Sequence, residues 1–130
     1  MRILMVQTFY YYRGGDSTYM LSLSKLLEEK GHEVVPFAME HPRNLPSPYA
    51  RFFVSEVDFP GLLRESSPGA VWKVATRSIY NGEARRKIAA LADEVKPDIA
   101  HFHNIHAHLT TSIVAPLRKR GIPIVWTLHD

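Results

Sequence analysis

The stretch 1–37, MRILMVQTFYYYRGGDSTYMLSLSKLLEEKGHEVVPF, decides the fold. Ile3 to Val6 is an unbroken apolar run, which suits a strand buried on both faces of a parallel sheet. Arg13-Gly14-Gly15-Asp16 is turn-prone. Beyond it Met20, Leu23 and Leu27, with Leu26 beside them, recur at helical spacing up to Lys30. Asp16 or Ser17 is the expected cap of this helix, and Gly31 its stop. His32 to Phe37 is a second short strand. The three pieces predict a βαβ unit with a right-handed crossover.

Residues 40–68 follow neither period. Pro42, Pro46, Pro48, Pro60 and Pro68 punctuate them, with Phe52, Phe53 and Phe59 between. A long ordered excursion is expected, with one short helical turn near Tyr49 to Val54; loops of this length inside a domain usually serve function. Ser67-Pro68 is a cap followed by proline at the first helical position, and Val71, Ala75 and Ile79 are that helix's apolar stripe. Asn81-Gly82 breaks it. A further helix from about Glu83 has the stripe Ala84, Ile88, Leu91 and Val95 and ends before Pro97. Ile99 to His103 is the third strand. A helix between Leu109 and Arg120, starting near Ser112 to accommodate Pro116, leads through Gly121 to a fourth strand over Ile122 to Leu128. The pattern predicts an α/β domain: a doubly wound parallel sheet with helices on both faces.

At 130 residues the chain is one domain's worth of core. It has no cysteine, which excludes a disulfide scaffold and thiolate chemistry. Lys plus Arg is 16 against 13 Asp plus Glu, and a net charge of +3 is too mild to indicate nucleic acid as a partner. No apolar run approaches the roughly 20 residues needed to span a bilayer, and the N-terminal run is too short for a signal peptide. A soluble, cytoplasmic protein is expected. Arg43, Arg51 and Arg64 leave peripheral association with a membrane surface open. The last strand runs almost into the final residues, so the chain reads as part of a longer protein.

In an open parallel sheet ligands bind outside the carboxyl ends of the strands. Four segments gather there: Gln7 to Asp16, the start of the excursion, His103 to His108, and His129-Asp130. Gly14 and Gly15 allow close backbone approach, and the helix N-terminus behind them offers free N–H groups, a cradle for phosphate with Arg13 as charge partner. The plainer alternative is a turn ahead of a capped helix, and Asp16 would repel a phosphate unless it points away. The segment from His101 to His108 carries four histidines. His103 and Asn104 are expected to line the crevice as hydrogen-bond donors, His101 to be satisfied within the sheet, and His106 and His108 to be solvated. A metal reading would take His103, His106 and His108, with Asp130, but the spacing matches no defined zinc signature. His129, just past a strand end, can donate to a sugar hydroxyl or to developing negative charge, with Asp130 beside it. The basic residues 85–87 and 118–120 are expected on solvated helix ends.

Taken in order, Gly14-Gly15, Leu23-x-x-Leu26-Leu27-x-x-x-Gly31-His32-Glu33-Val34, Pro97-Asp98-Ile99-Ala100-His101-Phe102-His103-Asn104 and Gly121-Ile122-Pro123-Ile124-Val125-Trp126-Thr127-Leu128-His129-Asp130 resemble glycosyltransferase family 4. The resemblance implies a retaining, nucleotide-sugar-dependent enzyme of the GT-B fold. It makes residues 1–130 the N-terminal, acceptor-side Rossmann-like domain, to be completed by a C-terminal donor-binding domain. By this resemblance Gly14 and Gly15 approach the donor diphosphate, His129 contacts the transferred sugar or reacting centre, and residues 40–65 shape the site of a glycan or lipid-linked acceptor. No cofactor or metal is implied, the nucleotide sugar being a substrate. Half a cleft should be nearly inactive alone. Two other readings stay open: a non-catalytic nucleotide- or sugar-binding module, and a metal-dependent hydrolase built on the histidines.

Overall fold

A computed structural model describes residues 1–56, 64, 67–106 and 108–129. Phe59, Pro60 and Asp130 lie outside them. Four strands, β1 (Arg2–Val6), β2 (Glu33–Phe37), β3 (Ile99–Phe102) and β4 (Ile124–Trp126), form one sheet in the order β2-β1-β3-β4. Every pairing is parallel. From β1 the chain moves outward on one side to β2, then returns past β1 to β3 and continues to β4. The strand order therefore reverses between β1 and β3, the point where open α/β sheets hold their ligands.

Helix α1 (Gly15–Glu29) connects β1 to β2 and covers one face of the sheet. Met20 and Leu21 are buried against Ile3 and Met5, with Leu23, Leu27, Val34 and Ile99 around them. Gly14, not Asp16 or Ser17, is the N-cap, and it supplies no side-chain cap. Asp16 instead sits in the first turn with its carboxylate turned back on the helix start. Gly31 ends the connection with φ of 88°, a left-handed conformation that favours glycine. Strand periodicity sends Leu4 and Val6 to the opposite face. There they join Ile88, Leu91, Ala100, Phe102, Ile113 and Leu117 in the larger core.

That second face is covered by α3 (Gly82–Val95) and α4 (Val114–Lys119). Asn81 caps α3 by accepting from the Ala84 amide at 3.0 Å, and Ala84, Ile88, Leu91 and Val95 are all buried, as their spacing requires. A 3-10 turn, Thr111–Ile113, precedes α4 and lets Pro116 sit in a helix only six residues long. The strands after Asp98 and Gly121 are shorter than expected: β3 ends before His103, and β4 starts at Ile124.

Helix α2 (Pro68–Ile79) begins as expected, with Ser67 Oγ accepting from the Ala70 amide at 3.1 Å. Val71 and Ala75 of its stripe are not buried as the periodicity predicts, and the Ile79 side chain lies outside the described residues. Val71 is 53% exposed, Trp72 71%, and Ala75 is exposed as well; Ala70 is buried. The excursion is ordered where described. The Val54 amide donates to Ala38 O at 3.0 Å and the Leu45 amide to Tyr10 O at 2.9 Å, and the expected turn is a 3-10 helix at Ala50–Phe52. Two of the basic residues expected to be merely solvated are engaged. Lys87 Nζ donates to Phe53 O at 2.7 Å, and Arg120 grips Asp93 through two bonds of 2.7 and 2.9 Å.

Candidate active site

The hollow at the β1–β3 switch point is built from the segments that leave the carboxyl ends of the strands. After β1, Gln7 and Thr8 are buried. After β3, the His103 amide donates to Val6 O at 2.9 Å, and the Thr8 amide donates to Asn104 O at the same distance. Thr8 Oγ1 donates to the same carbonyl at 2.8 Å, so the two strand ends are stitched together.

Asp16 is the hub of the floor. Its Oδ2 accepts from Gln7 Nε2 at 3.1 Å and from Asn104 Nδ2 at 3.2 Å, while Oδ1 accepts from the Ser17 amide at 2.8 Å. Gln7 Oε1 in turn accepts from the Asn104 amide at 3.0 Å. Burial works to raise the pKa of this carboxyl. The bonds from Ser17, Asn104 and Gln7, with the nearby His129 ring, outweigh it and hold Asp16 below the ordinary aspartate value. Asp16 thus turns Oδ2 toward the sheet, while Oδ1 stays on the Ser17 amide at the mouth of α1.

Over the hub, Gly14 and Gly15 form an open rim. Gly14 has φ of −165°, extended backbone that any residue adopts. Among the described residues a Cβ on Gly15 would meet no atom within 4 Å, and one on Gly14 would approach only Asp16 Oδ1, at 3.6 Å. Neither backbone strain nor packing asks for glycine here. Side chains at these positions would occupy the space in front of the helix N-terminus, where anions bind. Arg13 stands beside this rim with its guanidinium 4.0 Å from the centre of the Phe9 ring.

The other wall is aromatic. Met5, His101 and His103 lie on the α1 face of the sheet. His129 approaches from the end of β4, its ring stacked at 5.3 Å on His103 and 5.4 Å from Tyr19 of α1. His103 Nδ1 lies 3.0 Å from His129 Nε2, and His103 Nε2 lies 3.1 Å from Met5 Sδ. His101 Nε2 pairs with Thr127 Oγ1 at 2.8 Å, satisfied within the sheet as expected. Burial, followed by the charges of His101 and His129 and opposed by Asp16, drives the His103 pKa down to about 3. Burial first, then His129, lowers that of His101 too. Both rings resist protonation. Trp126 Nε1 donates to His103 O at 2.8 Å and fixes the backbone beneath.

Gly14, Gly15, Asn104 and His129 therefore lie around Asp16 and Tyr19 at the carboxyl edge of the sheet. His103 lies beneath it, with both ring nitrogens engaged inside the protein. Gln7 and Asp16 fall in a segment that the sequence placed here, whereas the contacts of Tyr19 and Met5 with the histidines were missed. An aromatic residue one turn into the helix was the available signal for Tyr19. His106 is exposed, whereas His108 is half-buried 5.8 Å from Phe9, and burial pushes its pKa down; it is not the solvated residue expected. The proposed metal set diverges: His103 turns to His129 and Met5, His108 to Phe9, and His106 lies 6.2 Å from the Trp126 ring. Among the described residues no group of three or more His, Asp or Glu could hold a metal ion.

A four-stranded parallel sheet with helices on both faces, its order reversing between β1 and β3, defines a doubly wound α/β domain. The model of glycosyltransferase family 4 matches residues 13–130, so the chain belongs to that family, and its fold is the N-terminal domain of the GT-B architecture. Membership indicates a glycosyltransferase-type function. The comparison with curated proteins gave no match. Among the described residues no helix is long and apolar enough to cross a membrane.

Proposed function

We propose that this domain is one wall of the catalytic cleft of a retaining glycosyltransferase that uses a nucleotide-sugar donor. The observation that carries the reading is the arrangement at the carboxyl edge: a helix N-terminus capped by Gly14 without a side chain, and on the same edge an imidazole in contact with Tyr19 and His103. The amides at Gly14 and Gly15, with Arg13, take the donor's diphosphate. His129 takes the transferred sugar, and Asn104 (with Asp130, past the described residues) completes the polar lining. Transfer breaks the bond between the sugar's anomeric carbon and the terminal phosphate oxygen. It forms one to an acceptor oxygen on the same face, and the acceptor's proton leaves with the diphosphate. Helix amides and a basic side chain offset the charge that develops on that leaving group, so the scheme needs no resident metal or cofactor.

The acceptor, a glycan or a lipid-linked glycan, lies along the excursion at residues 40–65. A lipid-linked acceptor would bring the domain to a membrane surface, and exposed Val71 and Trp72 beside Lys73 suit that contact. A second, donor-binding domain closes the cleft and aligns the two substrates. Residues 1–130 alone are then expected to bind nucleoside diphosphate sugars weakly and to turn them over negligibly. Titrating the chain with UDP- and GDP-sugars while following amide resonances should move Gly14, Gly15 and His129 together. Shifts confined to other surfaces would defeat the assignment, and steady nucleotide release by this chain would defeat the half-cleft reading.

A further inference from the structure

Building on the role given above to His129, we infer that Met5 and His103 are positioning residues that lock His129 in a single tautomer. In that tautomer its Nδ1 accepts a hydrogen bond from a substrate hydroxyl. The lock begins in the core. A thioether sulfur carries no hydrogen and can only accept. Met5 Sδ lies 3.1 Å from His103 Nε2 in a buried contact, so Nε2 is the nitrogen that bears the hydrogen. Buried His103 stays neutral through the physiological range and has one ring hydrogen to place. With that hydrogen on Nε2, Nδ1 is a bare acceptor. His129 Nε2, 3.0 Å away, must therefore donate to it. The two ring centres lie 5.3 Å apart, with Tyr19 5.9 Å from His103 and 5.4 Å from His129, so the pair is held in this orientation.

In the tautomer that carries its one hydrogen on Nε2, His129 has a lone pair on Nδ1, and that nitrogen has no hydrogen-bond partner among the described residues. A lone pair repels phosphate oxygens and attracts hydroxyl hydrogens. The wall at His129 thus selects a sugar hydroxyl, and the diphosphate is directed to the α1 rim. The two substrate groups are sorted by donor and acceptor character rather than by shape. Met5 reaches this position because it shares the α1 face with its β3 partner His101.

The test needs no ligand. Imidazole nitrogen correlation spectra of the whole chain are recorded about two pH units above the ordinary imidazole pKa. They should show His129 protonated at Nε2 and bare at Nδ1, with His103 protonated at Nε2. Met5→Leu keeps volume nearly constant but removes the sulfur acceptor. Both His129 nitrogen resonances should then move toward each other as the second tautomer becomes populated. His103→Gln, whose amide can either donate or accept, should relax the lock in the same way if Met5→Leu does not fold. Nδ1-protonated His129 in the unaltered chain overturns the proposal, as do His129 resonances unmoved in a folded variant. The correct tautomer in a chain that binds no nucleotide sugar would sink the proposed function and leave this inference standing. Donor binding with the wrong tautomer would do the reverse.

Discussion

The two ends of the sheet satisfy their polar groups in opposite ways. At the amino end, Arg2 Nε meets Glu33 at 2.7 Å, the Arg2 amide donates to Asp98 at 2.7 Å, and the chain's own amino terminus meets His32 at 3.1 Å. All of these are in water, which replaces a lost partner. At the carboxyl end Gln7, Thr8, Ser17 and His103 are buried, and a missing partner there leaves a dehydrated orphan. Among the described residues, four of the six buried polar side chains, Gln7, Thr8, Ser17 and His103, sit at that end beside the glycine rim. Folding alone would be served as well by apolar residues.

Acidification should stress this asymmetry most. Below about pH 6.5 the unfolded chain takes up protons at His101 and His103 that the folded chain refuses, so stability falls as pH drops. The slope approaches about 1.4 kcal/mol per pH unit for His103, or about 2 kcal/mol between pH 6.5 and pH 4.5, and His101 adds to it in the same direction. Asp16 adds to the loss only lower, as pH falls through its depressed pKa. Urea unfolding across pH should show a clearly flatter profile for His103→Gln; parallel profiles would break the comparison.

Next in size is Asp16→Ala, which strands the Gln7 and Asn104 amides at about 2 kcal/mol. Equilibrium unfolding measures it, and a neutral result would mean that water enters freely beneath the hollow. Gly15→Ala separates stability from binding. It should leave the chain as stable or slightly more so, since the Cβ meets nothing. It should weaken nucleoside diphosphate sugar binding by roughly tenfold, equivalent to about 1.4 kcal/mol by calorimetry. Smallest of all is Glu33→Ala at the amino end, which should leave the unfolding midpoint unmoved at moderate salt.

The framework was legible because burial on both faces and helical spacing leave few alternatives for 1–37, and the stripe of α3 is buried residue for residue. The stripe of α2 has the same kind of spacing, yet Val71 and Ala75 face solvent. Periodicity reveals that a helix has an apolar face, not what covers it. Within the hollow, the glycine rim and His129 could be found from their positions after strands. Asp16 could not, because a carboxylate in a first turn can face solvent or the sheet, and only the amides of Gln7 and Asn104, separated by 97 positions from one another, decide which. Met5 reads as core and is core; its second use depends on a ring 98 positions away.

Strand β1 is paired on both sides, to β2 and to β3, and the hollow hangs directly from its last residues. Central strands are where amide hydrogens exchange most slowly with solvent, since their opening requires the whole domain to come apart. The amides of Met5 and Val6 should therefore be among the last to exchange, which puts the residues beneath the glycine rim on the least yielding part of the chain.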